Sequence, residues 1–374
     1  SMITIWSGNF TSNTAMEGGG LYAHDSTAVV YNTQWMSNQA SDVGGAMRVV
    51  VNSELTLFDC TFESNTAAMG GGVSAKHSTT MTDTNSTWKM NQATTMGGGV
   101  SVEVSSPLVM TGSLFESNAA ADGGGLYTAT GSTVMATNVT WTSNAAEMSG
   151  GGVMANVSSS ITLMYCTFMS NNATDGGGIM ASIGSTITST QSTWMSNMAS
   201  SEGGGVALYS STLNLDDQNS FTSNTANMGG GVYGIDTSSI NSNTTSWSMN
   251  SANSTGGAVA LYSSSTLIMI DDSFDYNNAP HGGAVYAAQM SLVSATSCTW
   301  TSNSATMEGG GAALYAMSNI TIWNSNFTSN TAVDGGGLYA EDSSSVLAYS
   351  TMWMNNEAIT GGGVHIVQSS PLTA

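Results

Sequence analysis

Two pairs of adjacent aspartates, Asp216–Asp217 and Asp271–Asp272, are the side chains in this sequence best suited to acid–base chemistry. Glycoside hydrolases place two carboxyl groups roughly 5–10 Å apart, so that one donates a proton and the other acts as base or nucleophile. His281 is the nearest further base, and the cations that such sites also use lie far away in the sequence: Arg48, Lys76 and Lys89. The two pairs also occupy different positions of the chain's repeating unit. We therefore predict that the chain has no catalytic residues and is not an enzyme, with a polysaccharide lyase or hydrolase as the alternative.

A second set of carboxylates comes just before pairs of glycines: Glu17, Asp42, Asp122, Glu147, Asp175, Glu202, Glu308 and Asp334. If stacking aligned them, they could bind a divalent cation loosely, because calcium takes several oxygen ligands. The residue type varies, however, and several repeats lack a carboxylate at this position. We therefore favour solvated turns and predict neither a metal site nor a cofactor.

Glycine, methionine and cysteine each suggest a chemistry that their context argues against. No glycine run is followed by Lys-Ser or Lys-Thr, so none is a phosphate-binding loop. The 25 methionines share no single position of the repeat, which indicates adaptable packing and not a soft-metal site. The three cysteines, Cys60, Cys166 and Cys298, all lie two residues before an aromatic. They are several repeats apart, too far for a disulfide, and we predict small buried hydrophobic residues.

One repeating frame contains all of these residues: an aromatic, an asparagine three residues later, an alanine two residues after that, and then a pair of glycines. The aromatics alternate between phenylalanine and tryptophan: Phe10, Trp35, Phe62, Trp88, Phe115, Trp141, Phe168, Trp194, Phe221, Trp247, Phe274, Trp300, Phe327 and Trp353. The asparagines follow them: Asn13, Asn38, Asn65, Asn91, Asn118, Asn144, Asn171, Asn197, Asn224, Asn250, Asn277, Asn303, Asn330 and Asn356. A strict period of this kind indicates one supersecondary unit stacked on copies of itself.

Apolar residues lie two apart within a repeat, as in Leu55, Leu57, Cys60 and Phe62, and this alternation predicts strands. Three strand segments fit each repeat: one after the glycines, one in the middle and one at the aromatic. The prediction is an all-β fold, a right-handed parallel β-helix (solenoid) of about 14 coils of 26–27 residues, with three short strands per coil. We expect residues 1–374 to form a single continuous β-helix segment, part of a longer repeat protein.

The aromatics and the asparagines are predicted to be structural. Five residues before every phenylalanine except Phe221 a large residue such as Leu57 recurs, whereas before tryptophan the residue is mostly small, such as Ala136. A large ring beside a small partner keeps the core density constant, so the rings are predicted to point inward. Stacked asparagines can hydrogen-bond from coil to coil and satisfy polar groups at a buried turn.

Composition limits the partners. The formal net charge is −21 with three cations in 374 residues, which disfavours nucleic acids and anionic membranes. No run of 18 apolar residues occurs, so we expect no membrane insertion. Acceptor sequences for N-glycosylation would fit secretion: Asn9, Asn85, Asn138, Asn156, Asn172, Asn243, Asn253, Asn319 and Asn326. We expect self-association or a longer parent chain, with cell-surface proteins or glycans as further partners.

The segments FTSNTAMEGGGLY and WTSNSATMEGGGAALY resemble the repeat of the chlamydial polymorphic outer membrane proteins, Phe-x-x-Asn followed by Gly-Gly-Ala/Gly-Val/Leu. They are also similar to the wider group of right-handed, pectin-lyase-like β-helix surface proteins. The resemblance covers the whole chain, although tryptophan replaces every second phenylalanine and methionine is unusually frequent. It implies a surface adhesin, and hence an extracellular or cell-surface protein that acts as a stiff rod or filament. A carbohydrate-binding or polysaccharide-cleaving β-helix is the alternative.

Overall fold

The computed structural model describes residues 1–368 and 370–373, and it is a parallel β-solenoid of about 14 turns. No helix occurs within these two ranges. The strands form parallel sheets of four kinds, which we name in the order that one turn visits them: the middle, aromatic, alanine and post-glycine sheets. The chain divides into two compact units, Ser1–Thr188 and Ser189–Ala374.

The first unit contains all four kinds of strand. Its middle strands are Met2–Trp6, Thr27–Tyr31, Glu54–Phe58, Thr80–Thr84, Pro107–Thr111, Thr133–Thr137 and Ser160–Met164, and the division between the units falls within Thr186–Thr190. Its aromatic strands are Asn9–Thr11, Gln34–Met36, Thr61–Glu63, Thr87–Lys89, Leu114–Glu116, Thr140–Thr142 and Thr167–Met169. Its alanine strands are Thr14–Glu17, Gln39–Val43, Thr66–Met69, Gln92–Met96, Ala119–Asp122, Ala145–Ser149 and Asn172–Asp175. Its post-glycine strands are Leu21–His24, Met47–Val50, Val73–Lys76, Val100–Glu103, Leu126–Ala129, Val153–Asn156 and Ile179–Ser182.

The second unit repeats this order. Its middle strands are Thr212–Asp216, Ser239–Asn243, Thr266–Ile270, Leu292–Thr296, Asn319–Trp323, Ser345–Tyr349 and Leu372–Thr373. Its aromatic strands are Thr193–Met195, Ser220–Thr222, Ser246–Ser248, Ser273–Asp275, Thr299–Thr301, Asn326–Thr328 and Met352–Met354. Its alanine strands are Met198–Glu202, Thr225–Met228, Ser251–Thr255, Asn278–His281 and Ser304–Glu308, after which single bridges continue the pairing. Its post-glycine strands are Val206–Tyr209, Val232–Ile235, Val259–Leu261, Val285–Ala287, Ala312–Leu314, Leu338–Ala340 and Val364–Ile366.

Each residue pairs with its equivalent one turn away. Phe62, for example, lies between Trp35 and Trp88 in the aromatic sheet. In the middle sheet Asp83 lies between Leu57 and Met110, in the pattern of large and small partners that the sequence predicts. The three predicted strands are present in each turn, and the alanine strand is an additional one that was not predicted.

The alanine strand also accommodates the difference in length between the two kinds of repeat. It has four residues after phenylalanine, as in Thr66–Met69, and five after tryptophan, as in Gln92–Met96. The register between these two strands shifts between Ala67 and Met69, so the extra residue forms a β-bulge. The same shift recurs at pairs of alanine strands in both units.

The aromatic rings stack inside each unit. In the first unit the centroids of adjacent rings from Phe10 to Phe168 are 4.0–6.1 Å apart, and in the second unit those from Trp194 to Trp353 are 4.3–5.7 Å apart. Phe10 and Trp353 are half-buried, whereas the other rings are fully buried. Near-parallel, offset rings are a favourable arrangement for aromatic side chains, so this stack forms the centre of the core.

Candidate functional site

The asparagine column forms a ladder of hydrogen bonds along the turn after the aromatic strand. Asn91 Nδ2 and the Asn91 backbone N–H both donate to Asn118 Oδ1, each over 3.0 Å. Asn91 Nδ2 also donates to the Phe62 carbonyl over 2.9 Å. The pattern recurs in the second unit, for example from Asn250 to Asn277. The amide of such a ladder asparagine thus links three consecutive turns.

Two buried aspartates hydrogen-bond to tryptophans of the core. Trp88 Nε1 donates to Asp83 Oδ2 over 2.9 Å, and Trp247 Nε1 donates to Asp272 Oδ2 over 3.1 Å. Burial raises the pKa of Asp83 and raises that of Asp272 to about 6, although hydrogen bonds to both groups oppose the effect. Three other indole N–H groups have no partner among the residues described: those of Trp35, Trp141 and Trp300. Asp272 is therefore a buried hydrogen-bond acceptor for a core tryptophan, Trp247.

The two predicted acidic pairs do not form one catalytic group. Asp272 is buried, whereas its neighbour Asp271 and the pair Asp216–Asp217 are exposed. The side chain of Asp217 accepts a hydrogen bond from Gln191 Nε2 over 3.1 Å. His281 is engaged elsewhere, with Nδ1 2.5 Å from Glu308 Oε2.

Several carboxylates that precede the glycines pair with neighbouring side chains. Glu17 Oε2 lies 3.8 Å from Arg48 Nε, and Asp334 Oδ1 lies 3.5 Å from His365 Nδ1. Burial raises the pKa of Asp122, with hydrogen bonds from Ser149 opposing it. Among the described residues, no group of three or more His, Cys, Asp or Glu side chains could hold a metal ion.

The cysteines and methionines differ in location. Burial raises the pKa of Cys60 and Cys166 to about 11 and that of Cys298 to about 12, and all three thiols are free and buried, as predicted. Many methionines lie on the surface, including Met16 and Met290. The prediction that methionine serves as packing material is therefore wrong for these residues.

A sharp corner at the glycine pair brings the end of each alanine strand close to the outer face of the post-glycine strand. In the second unit Gly203 has a φ of +63°, and a Cβ there would lie 2.3 Å from the Val206 carbonyl oxygen. A Cβ on Gly204 would lie 2.4 Å from the Gly230 carbonyl oxygen in the next turn. The first glycine is thus required for its φ and the second for close backbone approach.

The outer face of the post-glycine sheet in the second unit carries a column of stacked tyrosines. We call it the tyrosine column, and its members are Tyr209, Tyr233, Tyr262, Tyr286, Tyr315 and Tyr339. Adjacent ring centroids are 5.4–6.1 Å apart and the ring planes are tilted by 32–52°. Small residues, Ala207, Ala260 and Ala313, precede every second tyrosine by two positions. Tyr233 and Tyr339 are buried, and the other four are half-buried.

Polar side chains from the alanine strands contact the tyrosine column. The hydroxyl of Tyr209 donates to Glu202, and the hydroxyl of Tyr262 lies 2.9 Å from Thr255 Oγ1. The hydroxyl of Tyr315 lies 3.4 Å from His281 Nδ1. Desolvation, followed by nearby carboxylates such as Glu308, raises the pKa of Tyr315, and desolvation also raises the pKa of the other phenols from Tyr233 to Tyr339. These hydroxyls are therefore neutral hydrogen-bonding groups at physiological pH.

The equivalent positions of the first unit include two separated tyrosines, Tyr22 and Tyr127, and the turns between them carry ionic and polar side chains instead. Arg48 Nη1 donates to Ser74 Oγ over 2.5 Å, and Lys76 Nζ lies 3.4 Å from Glu103 Oε2. Burial lowers the pKa of Arg48, and the charge of Glu17 opposes this effect. The continuous tyrosine column is thus a property of the second unit.

The tyrosine column was not predicted, although the sequence contains its signal. Tyr209, Tyr262 and Tyr315 are 53 residues apart, and so are Tyr233, Tyr286 and Tyr339. The two series occupy alternate turns and different strand positions, so they form one column only when the turns are stacked.

Comparison with known proteins supports the fold but gives no information on an activity or a ligand. Within the described residues, no helix is sufficiently long and apolar to cross a membrane. Searches of curated proteins and of solved structures return no match. Residues 3–140 match the family model described as a right handed beta helix region, which agrees with the predicted fold.

Proposed function

We propose that this chain is an extracellular structural or adhesive repeat protein that forms a stiff rod or filament on a cell surface. The asparagine ladder is the observation that carries the proposal. Within each unit, consecutive buried asparagines join neighbouring turns by the same side-chain and backbone hydrogen bonds. A buried polar network with satisfied partners favours a single rigid arrangement, which suits a protein whose task is to hold length.

The surface supports an extracellular location. Most asparagines in N-glycosylation sequences are exposed: Asn9, Asn85, Asn138, Asn172, Asn243, Asn253 and Asn319. The buried ladder asparagines are followed two positions later by alanine, so none lies in such a sequence. The resemblance to the chlamydial polymorphic outer membrane proteins also supports an adhesive role.

We also propose that the role is not enzymatic. The acidic pairs separate between the interior and the surface, and His281 pairs with Glu308. Self-association through the solenoid, or incorporation in a longer parent chain, remains part of the proposal.

Electron microscopy of the native material, combined with antibody labelling of intact cells, tests this function. We expect surface-labelled rods whose diffraction has an axial repeat of ~4.8 Å, the spacing of parallel strands. Compact, discrete particles confined to the cell interior would contradict the proposal.

A carbohydrate-binding role is the second candidate. The tyrosine column and its flanking polar groups favour it, because aromatic rings beside hydrogen-bonding side chains are the surfaces on which sugars bind. This role is compatible with an adhesin, which needs a ligand.

A further inference from the structure

We propose that the tyrosine column of the second unit binds an extended, uncharged polysaccharide chain along the axis of stacking. The inference rests on the proposed adhesive function and names the partner of that function. Four properties of the column support it: ring exposure, polar neighbours, charge and period.

The rings provide an apolar track that solvent reaches. Tyr209, Tyr262, Tyr286 and Tyr315 are half-buried, so part of each ring is open along the outer face. Tyr262, Tyr286 and Tyr315 are consecutive, with adjacent ring centroids 5.4–5.5 Å apart, so the open track is continuous over these three rings. The C–H faces of a sugar ring can pack on such aromatic surface.

The polar groups beside the rings are of both hydrogen-bonding types. Glu202 and Glu308 are half-buried and offer carboxylate oxygens, whereas the phenols can donate or accept. Sugar hydroxyls both donate and accept, so a chain lying on the rings would find partners on its flank. A few placed polar groups beside an apolar surface are typical of ligand sites.

The charge of the unit selects against acidic chains. All three cations of the protein, Arg48, Lys76 and Lys89, belong to the first unit. The second unit therefore has no lysine or arginine to pair with a carboxylate or sulfate, and Glu202 and Glu308 line the column. Anionic polysaccharides and phosphate polymers would be repelled, which leaves uncharged hexose or N-acetylhexosamine chains.

The period of the column suits a polymer with a two-residue repeat. Equivalent tyrosines such as Tyr209 and Tyr262 recur every second turn, an advance of about 9.6 Å. Extended β-1,4-linked polysaccharides have a disaccharide repeat of similar length. Each disaccharide would therefore meet one half-buried ring of the series Tyr209, Tyr262 and Tyr315, and binding would gain from every repeat that engages.

The test uses the full chain and three neutral polymers, namely cellulose, chitin and β-mannan, with polygalacturonate as the acidic comparison. We expect co-sedimentation with at least one neutral polymer and none with polygalacturonate. The variant Tyr209→Ala/Tyr262→Ala/Tyr315→Ala should weaken that binding at least about tenfold, equivalent to ~1.4 kcal/mol. Tyr165→Ala/Tyr276→Ala is the matched control, because both side chains are exposed and lie outside the column.

Four results would overturn the proposal: no binding of the wild-type chain to any neutral polymer, equal binding of polygalacturonate, undiminished binding by a triple variant, or assembly of copies that depends on the column. If the alanine variant unfolds, Tyr209→Leu/Tyr262→Leu/Tyr315→Leu keeps apolar bulk while removing the rings and hydroxyls.

Imaging the same samples separates the two proposals, the polysaccharide site and the structural rod. Rods without binding would refute the polysaccharide site alone, and binding without rods would refute the structural role alone.

Discussion

At the scale of single residues, the buried carboxyl groups are the part of the core most sensitive to solution conditions. Asp272 accepts hydrogen bonds from Trp247 Nε1 and from the Thr245 backbone N–H. The protonated form is favoured in the folded state, because burial raises the pKa of Asp272 to about 6, well above the ordinary value of an aspartate. The folded chain thus binds more protons than the unfolded chain over this range, and stability falls as pH rises through it.

Asp272→Asn should remove this pH dependence. The unfolding free energy of the wild type should carry a contribution from Asp272 that declines by roughly 3 kcal/mol from below pH 4 to above pH 6. Asparagine keeps an oxygen acceptor for Trp247 Nε1 without a titratable proton. Urea unfolding of both proteins across this range measures the difference in slope. Asp271→Asn is the control, since Asp271 is exposed, and identical slopes for all three proteins would contradict the prediction.

Trp88→Phe should cost more stability than Trp141→Phe. Both indoles are fully buried, but Trp88 Nε1 donates to Asp83 whereas Trp141 Nε1 has no partner among the described residues. The first substitution leaves a buried carboxyl group short of a donor, which adds ~1–3 kcal/mol to the loss of volume. Thermal unfolding of the two variants compares them directly. Equal losses would show that the hydrogen bond to Asp83 contributes nothing net.

At the scale of elements, the sequence predicts what faces the core and misses what does not. The rings and three strands per turn follow from the period of apolar residues, and the ladder follows from the asparagine that recurs three residues after each ring. The alanine strand was missed because segments such as Thr66–Met69 have no clear alternation of apolar and polar residues. The tyrosine column was missed because outward positions are not constrained by packing density, and its members become neighbours only through the register of the stacked turns.

Asn118→Ala should destabilise the first unit by several kcal/mol. It removes the acceptor of the Asn91 side-chain and backbone N–H groups and the donor to the Trp88 carbonyl. Each buried group left without a partner costs ~1–3 kcal/mol. Chemical denaturation measures the change, with Asn172→Ala as the matched control because Asn172 is exposed in an alanine strand of the same unit. A loss no larger than that of the control would remove the ladder as a source of stiffness.

At the scale of the whole molecule, the scarcity of cations makes the chain a poor substrate for trypsin. Arg48 and Lys76 lie in post-glycine strands and Lys89 lies in an aromatic strand, and each is close to a carboxylate. We expect the folded chain to remain intact under conditions in which the denatured chain yields an uncut fragment 90–374. Mass spectrometry of timed digests measures this. Rapid cleavage of the folded chain at Arg48 would contradict the pairing described for the first unit.

The β-bulge of the alanine strand limits how such a gene can change in length. Strands of four and five residues alternate, together with phenylalanine and tryptophan. Loss or duplication of one turn would place two phenylalanines or two tryptophans side by side and two strands of equal length in contact. A pair of turns spans 53 residues, the distance from Tyr209 to Tyr262. Unequal recombination that removes or adds such a pair keeps the alternation of phenylalanine with tryptophan and of four-residue with five-residue strands. We therefore expect alleles and relatives of this protein to differ in length by whole pairs of turns.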